Sequence, residues 1–257
     1  KYQEIRAREN NYNNLLEQPN FFTLLPSLKN KIVLDIGCGV GDFAAYCIGQ
    51  GAKRVTGIDI SLNMITHAKK RHIHERLSFE QVAFEDMTVP NGTIDFISSS
   101  LAFHYIADFQ LLIKKISTAL CEGGILLFSL EHPIVTANKG KESWLTNEEG
   151  NYLHFAVDNY QDEGLRTQNW LVDHVIMYHR TMSTILNTLI ENGLQIEKII
   201  EPIPTEEALR NLPSLKKEFQ VHHLEQPKQY YRTAPEPYKT STLQQDASNK
   251  LNFAAKK

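Results

Sequence analysis

The residue types best suited to chemistry begin with a glycine-rich stretch, KIVLDIGCGVGDF, at residues 31–43. An apolar run ends at Asp35, and glycines follow at positions 37, 39 and 41. Glycines adopt backbone angles that other residues avoid, and they let a ligand approach the main chain closely. Gly41 opens the next predicted helix, whose free N–H groups attract negative charge. The stretch therefore predicts a ligand-binding loop.

The spacing of these glycines argues against a ligand that carries phosphates. A dinucleotide fingerprint has the pattern G-x-G-x-x-G, whereas here the third glycine comes one residue early and Asp42 stands in its place. A phosphate loop would end in GK[ST], which is absent. An acid at the start of the next helix would also repel a pyrophosphate. These features disfavour an NAD-linked oxidoreductase, which is one alternative function.

Asp59 ends the second predicted strand, where a carboxylate can accept hydrogen bonds from ribose hydroxyls. A ligand with a ribose, an adenine and no phosphate fits both features. S-adenosylmethionine (SAM) has that composition.

Four side chains could serve as a general base in methyl transfer. The reaction needs an aligned nucleophile and an exclusion of water, and an oxygen or nitrogen nucleophile can also need a base. His104 and Glu131 follow the fourth and fifth predicted strands, His132 comes next, and His179 lies farther on. We predict His132 and His104 as the catalytic residues. The alternative for each histidine is a structural hydrogen bond.

Alternating strands and helices must position these residues. Apolar, β-branched runs predict strands at 31–36, 54–60, 77–84, 93–103 and 123–131, and helical spacing predicts helices at 12–25, 41–50, 61–75 and 108–120. This order predicts a parallel sheet covered on both faces.

The rhythm changes after residue 131. Residues 132–180 form a polar and aromatic insertion with a predicted strand pair around NWLVDHVIMYHRT. A helix at 182–192 and a strand at 194–201 resume the pattern. The insertion's aromatic side chains predict either a substrate lid or a small core of its own; they include Trp144, Tyr152, Tyr160, Trp170 and Tyr178.

Taken in order, these stretches resemble a known family. VLDIGCGVGDFA, VTGIDIS, FEDM and SSSLAFHYI look like successive motifs of class I SAM-dependent methyltransferases. LFSLEHPI, VDNYQDEG and YHRTMSTILNTLIENG resemble a bacterial branch of that family with small-molecule-type members. The resemblance covers about residues 10–205. It implies an α/β fold: a three-layer, Rossmann-like, mostly parallel methyltransferase sheet with an insertion after strand 5 and an atypical C-terminal tail.

The resemblance also implies which residues bind SAM. The methionine part would contact Asp35, Gly37, Cys38 and Gly39, and the ribose would contact Asp59. The adenine would contact Ile60, Met64, Glu85, Asp86 and Met87, and the sulfonium would lie beside Ser100 and Leu101. Three of these have structural alternatives. Asp35 could tie loop N–H groups, Met64 could belong to the core, and Asp86 could cap a helix. Tyr12 would close over the cofactor.

Composition narrows the partners. The net charge is −3, without the basic excess of a duplex-binding protein. Three cysteines without C-x-x-C spacing predict neither disulfides nor a metal site and suit a cytoplasmic protein. No apolar run approaches the roughly 20 residues of a membrane helix. We therefore predict a small-molecule methyl acceptor and neither nucleic acid nor membrane as partner.

The C-terminal sequence departs from the family pattern. An antiparallel seventh strand is expected near the C-terminus, and no clear apolar run supplies it. FQVHHL could be a degenerate strand, the tail could be foreign to the fold, or a second chain could complete the sheet as a homodimer. We predict a methyltransferase domain at 1–205 and a separate segment at 206–257. This departure motivates the alternative of a non-catalytic SAM-binding or partner-binding protein.

Overall fold

The structure is a computed structural model, and it describes residue 11 and residues 13–139, 144–168 and 174–202. All of these belong to one unit, Lys1–Phe219. The predicted boundary at 205, the segment 206–257, FQVHHL, Tyr12 and Trp170 lie outside the described residues, so those predictions stand as they are.

A five-stranded parallel sheet forms the centre, in the order β3-β2-β1-β4-β5. Its strands are β1 (Ile32–Ile36), β2 (Arg54–Asp59), β3 (Leu77–Gln81), β4 (Ile94–Ser100) and β5 (Leu120–Ser129). The helices are α1 (Gln18–Thr23), α2 (Asp42–Gly49), α3 (Leu62–Arg71), α4 (Phe109–Ala119), α5 (Pro133–Thr136) and α6 (Met182–Glu191). A π-helical turn, Asn13–Glu17, precedes α1.

Two apolar clusters, one on each face of the sheet, make the three layers. On one face, α2 and α3 contribute Cys47 and Ile65, which pack against Val33 and Phe96 of the sheet. On the other face, α4 and α6 pack against the sheet through residues such as Ile113 and Ile185. The α/β prediction, with helices on both faces, is confirmed.

The insertion after β5 forms two small antiparallel pairs. These are β6 (Trp144–Thr146) with β7 (Tyr152–Phe155), and β8 (Gly164–Gln168) with β9 (Val175–His179). The strand pair predicted around 169–181 is therefore displaced, because its first strand lies earlier in the chain. Among the described residues, no helix is long and apolar enough to cross a membrane.

The strand predicted at 194–201 is wrong. Within the part of the chain that the structure describes, this stretch pairs with no strand, although Leu194 and Ile196 pack against the α4–α6 side of the core. An alternating apolar pattern places every second side chain on one face, and an unpaired extended segment can use the same pattern. The pattern predicted the burial correctly and the backbone pairing incorrectly.

Candidate active site

The loop after β1 is fixed to the end of β2 and packs against the end of β4. The N–H groups of Gly37 and Cys38 both donate to the Ile58 carbonyl oxygen at 2.9 Å. A Cβ on Gly37 (φ 73°) would lie 2.5 Å from the Cβ of Ala102. At Gly39 (φ 54°), by contrast, an added Cβ would meet no heavy atom within 4 Å. The loop therefore leaves its backbone open to a ligand at Gly39.

Asp59 joins this loop to the end of β2. Its Oδ2 accepts from the Gly39 N–H at 2.9 Å, and its Oδ1 accepts from the Ser61 N–H at 2.8 Å. A carboxylate offers about four acceptor positions, so two ribose hydroxyls can be added to these bonds. The structure thus brings Asp59 and Gly39 together, and it gives Asp59 a structural use that the sequence did not reveal.

The strand order places this loop beside a crevice. From β1 the chain proceeds outward through β2 and β3, and then returns to β4 on the opposite side of β1. The connections leaving β1 and β4 run in opposite directions, and ligands of open α/β sheets bind where the order reverses in this way. Gly37 and Ala102 stand on the two sides of this point.

Apolar and acidic side chains continue the site along β2 and β3. Ile60 follows Asp59 directly and is 74% exposed, whereas Met64 is half-buried on the first turn of α3. The Val82 N–H donates to the Asp59 carbonyl oxygen at 3.1 Å, which brings the end of β3 alongside. An exposed apolar side chain beside a carboxylate can pack against the base of a nucleoside.

The next predicted residues lie on a 3₁₀ turn after β3. Asp86 is exposed, and Glu85 is half-buried, with its carbonyl oxygen accepting from Lys115. Met87 packs against the α4–α6 side of the core. The turn therefore exposes the Asp86 carboxylate at the β3 end of the site, while Met87 is partly buried against the core.

Asp35 lies inside the sheet beneath the loop. It is 4% exposed and accepts from the Ser98 hydroxyl at 2.8 Å, while its Oδ2 has no hydrogen-bond partner among the described residues. Burial raises the pKa of Asp35 to about 7; the Ser98 hydrogen bond opposes this rise and the Asp59 charge adds to it. Burial also raises the pKa of the Cys38 thiol, which keeps it protonated.

Ser100 bonds Glu17, a residue that the sequence did not single out, and Leu101 is linked to Glu17 through Ser129. The Ser100 and Ser129 hydroxyls both donate to Oε1 of Glu17, at 2.8 and 2.6 Å. Leu101 has a φ of 51°, unusual for a bulky residue, and its N–H donates to the Ser129 Oγ at 3.1 Å. Glu17 comes from the π-helical turn before α1. The only sequence signal for it was that Glu17 is the single acidic residue of the helix predicted at 12–25.

A small recess lies beyond the ends of β4 and β5. Its lining combines residues after both strands with residues of the insertion, α4 and α6: Phe103, His104, Phe109, Leu130, Glu131, Thr136, Tyr178, Arg180 and Ile185. Burial and the nearby Arg180 charge lower the pKa of His104 to about 4. Burial raises the pKa of Glu131, whose Oε2 has no partner among the described residues.

The four candidate bases lie in different surroundings. His104 and Glu131 share the recess, and the Glu131 N–H lies 3.5 Å from Nδ1 of His104. His132 caps α5 through Nδ1, and its Nε2 lies 2.8 Å from Oε1 of Glu201. His179 is fully buried, with Nδ1 2.8 Å from the Thr136 hydroxyl. The recess therefore includes His104 and Glu131 but neither of the other histidines.

The insertion's aromatic residues divide between the two predicted uses. Tyr178 lines the recess. Trp144 packs edge-on against Phe155 with ring centroids 5.2 Å apart, and Tyr160 contacts His179 in the same way at 5.7 Å. Tyr178 suits the predicted lid and the two ring contacts suit the predicted small core, so both alternatives stay predictions.

Comparisons with known proteins agree with this architecture. A family model for a methyltransferase domain matches residues 34–128. A Listeria monocytogenes structure described as a SAM-dependent methyltransferase is 42% identical, covers 76% of this chain and 91% of its own, and has a TM-score of 0.71. A SAM-dependent methyltransferase from Mesorhizobium loti is 33% identical, with 79% and 93% covered and a TM-score of 0.72. An uncharacterized Haemophilus influenzae protein is 38% identical over 208 residues, 79% of this chain and 82% of its own.

Proposed function

Since this chain belongs to the class I family of SAM-dependent methyltransferases, we propose that it methylates an oxygen or nitrogen atom of a small molecule. The methyl donor follows from the family, and the acceptor is the new part of the proposal. The observation that supports it is the recess beyond β4 and β5, where apolar side chains lie among polar ones; it has room for about one water molecule, so only the reacting group of an acceptor would enter it. Sites for small molecules have this composition.

The donor would lie across the exits of β1, β2 and β4. In this proposal the open backbone at Gly39 receives the methionine part, beside Gly37 and Cys38. Asp59 takes the ribose hydroxyls, and Ile60 covers one face of the adenine. Asp35 supports the loop from below. Its burial makes a direct contact with the donor less favoured than that of Asp59.

The remaining predicted residues frame this arrangement. Met64 and Met87 would pack near the adenine, with Glu85 and Asp86 at its amino group. Ser100 and Leu101 would flank the sulfonium, because β4 ends next to the loop that follows β1.

Between the two predicted catalytic residues, the geometry favours His104 over His132. His104 lines the recess and is neutral at pH 7, since its pKa is about 4. When its Nδ1 accepts the Glu131 N–H, Nε2 carries the proton, so His104 would orient the acceptor atom by donating a hydrogen bond and would not itself take the acceptor's proton. His132 already uses both ring nitrogens. Glu131 is the carboxyl best placed to take a proton in the recess.

Calorimetry with SAM and S-adenosylhomocysteine tests the donor half of the proposal. We expect both to bind the natural chain and Asp59→Asn to weaken both roughly tenfold or more, the size of one lost charge-assisted hydrogen bond. The control is Asp158→Asn, the same chemical change on an exposed residue of the insertion. No heat from either ligand with the natural chain would contradict the proposal.

Transfer from methyl-labelled SAM tests the acceptor half. Pools of phenols, amines and carboxylic acids would be offered beside tRNA and total protein. Label entering a small molecule, with a loss of kcat in His104→Asn, supports the proposal. Label entering only tRNA or protein contradicts it.

A further inference from the structure

The π-helical turn before α1 places a carboxylate at the ends of β4 and β5. Oε1 of Glu17 accepts two hydroxyl hydrogen bonds, from Ser100 at 2.8 Å and from Ser129 at 2.6 Å. Its Oε2 is shielded from solvent and has no hydrogen-bond partner among the described residues. One carboxylate oxygen thus accepts two hydrogen bonds, and the other accepts none from the described residues.

A bare, buried carboxylate oxygen is unfavourable unless a positive charge or a donor group reaches it. Removing a charge from water is strongly unfavourable when no opposite charge or donor group compensates it. No described Lys, Arg or His forms an ion pair with Glu17. The two serine hydroxyls compensate one oxygen and leave the second to a group that the described residues do not supply.

The position of Glu17 indicates which group this is. Ser100 ends β4, and Leu101 follows it with an N–H that donates to the same Ser129 hydroxyl oxygen that bonds Glu17. His104 and Glu131 of the recess follow the same two strands. Glu17 therefore stands where the donor side of the crevice meets the proposed acceptor recess.

We propose that Glu17 belongs to the methyl-transfer centre and that its Oε2 faces the positive charge that SAM brings there. This inference rests on the proposed function. In the reaction, the lone pair of the acceptor atom forms the new bond to the methyl carbon, and the carbon–sulfur bond breaks with its electron pair left on sulfur. The positive charge thereby passes from sulfur to the acceptor atom, which then loses a proton to a base or to water.

A fixed carboxylate at this point favours one class of acceptor. It stabilises a neutral amine or hydroxyl that becomes cationic as the bond forms, and it repels an acceptor that is already an anion. The charge also distinguishes donor from product, because SAM is a sulfonium and S-adenosylhomocysteine is neutral at sulfur. Glu17 is therefore expected to favour the binding of SAM over that of the product.

Glu17→Gln tests the inference without the acceptor being known. The amide oxygen can still accept both serine hydroxyls, so the change removes the charge and keeps the shape. Affinities would be measured for SAM, for S-adenosylhomocysteine and for sinefungin, in which an amine-bearing carbon replaces the sulfonium and its methyl group. The matched control is Glu122→Gln, an exposed glutamate at the start of β5.

We expect Glu17→Gln to weaken SAM and sinefungin roughly tenfold or more, as for a lost charge-assisted contact, and S-adenosylhomocysteine less than about twofold. Equal losses for all three ligands would overturn the inference, because they would show a structural role only. Unchanged affinities would overturn it as well. If the natural chain binds none of the three, the proposed function itself fails, which is a separate result.

Discussion

Replacing Gly37 by alanine should damage the loop after β1 in two separable ways. Its φ of 73° lies in the left-handed region, which costs a non-glycine residue about 1–2 kcal/mol. Its new Cβ would lie 2.5 Å from the Cβ of Ala102. Overpacking of this kind typically costs a further ~1–3 kcal/mol. We therefore expect Gly37→Ala to lower the free energy of unfolding by about 2–5 kcal/mol.

A second substitution separates the two costs. Ala102→Gly removes the carbon that the new Cβ would meet, so the double variant should recover the steric part and keep the backbone part. The free energy of unfolding would be measured by denaturant titration for the natural chain, both single variants and the double variant. The coupling energy of this cycle should be about 1–3 kcal/mol in favour of the double variant.

The coupling energy decides whether the reasoning holds. A coupling below about 0.5 kcal/mol, the usual scatter for independent sites, would show that the loop after β1 does not touch the end of β4. SAM affinity measured on the same four proteins should follow the same order, because the loop backbone next to Gly37 is the proposed donor surface. Stability that recovers without recovery of SAM affinity would separate packing from binding.

Three further predictions concern single side chains. The folded-state pKa of Asp35 is raised to about 7, so its contribution to stability is present below pH ~4 and is lost as the pH rises through about 7. Asp35→Asn should remove this pH dependence, which amounts to up to about 4 kcal/mol in the free energy of unfolding. If the free energy of unfolding changes with pH in the same way in the variant and the natural chain, the prediction is contradicted. Thr136→Val should lower the free energy of unfolding by about 1–3 kcal/mol, because Nδ1 of His179 then loses its buried partner; Thr136→Ser, which keeps the hydroxyl, should recover most of the loss. Ile60→Ser should weaken SAM roughly fivefold, about 1 kcal/mol of apolar contact, and leave the unfolding transition unchanged, since Ile60 is 74% exposed; an unchanged affinity would remove Ile60 from the adenine site.

The fold was predictable because each local pattern agreed with the next. The β-branched run ending at Asp35 predicted β1, and the helix predicted from residue 61 does begin there, with Ser61 as its N-cap. Alternation between strands and helices then left few ways to arrange a parallel sheet. At residues 194–201 the pattern was ambiguous, because alternation records which side chains are buried and not whether the backbone has a neighbouring strand.

The site was less predictable, because it depends on contacts between distant parts of the chain. Glu17 and Ser129 are 112 positions apart, and no local sequence pattern around either residue predicts the hydrogen bond between them. His132 shows the opposite case. It follows a strand end, as a catalytic residue would, yet its ring is taken up by the N-cap of α5 and by Glu201. Only the three-dimensional arrangement distinguishes it from His104.

The segment that follows β4 explains how donor and acceptor sides can act together. Ser100 bonds Glu17, Leu101 bonds Ser129, Ala102 packs against the loop after β1, and His104 contacts the Glu131 backbone, each through a neighbouring position. A shift of this short segment would therefore move contacts on both sides of the crevice. The strained φ of 51° at Leu101 lies at its centre, where the surrounding bonds fix a conformation that a free leucine would avoid. In the proposed function, alignment of the methyl group with its acceptor would therefore depend on this one short segment and not on two independent surfaces.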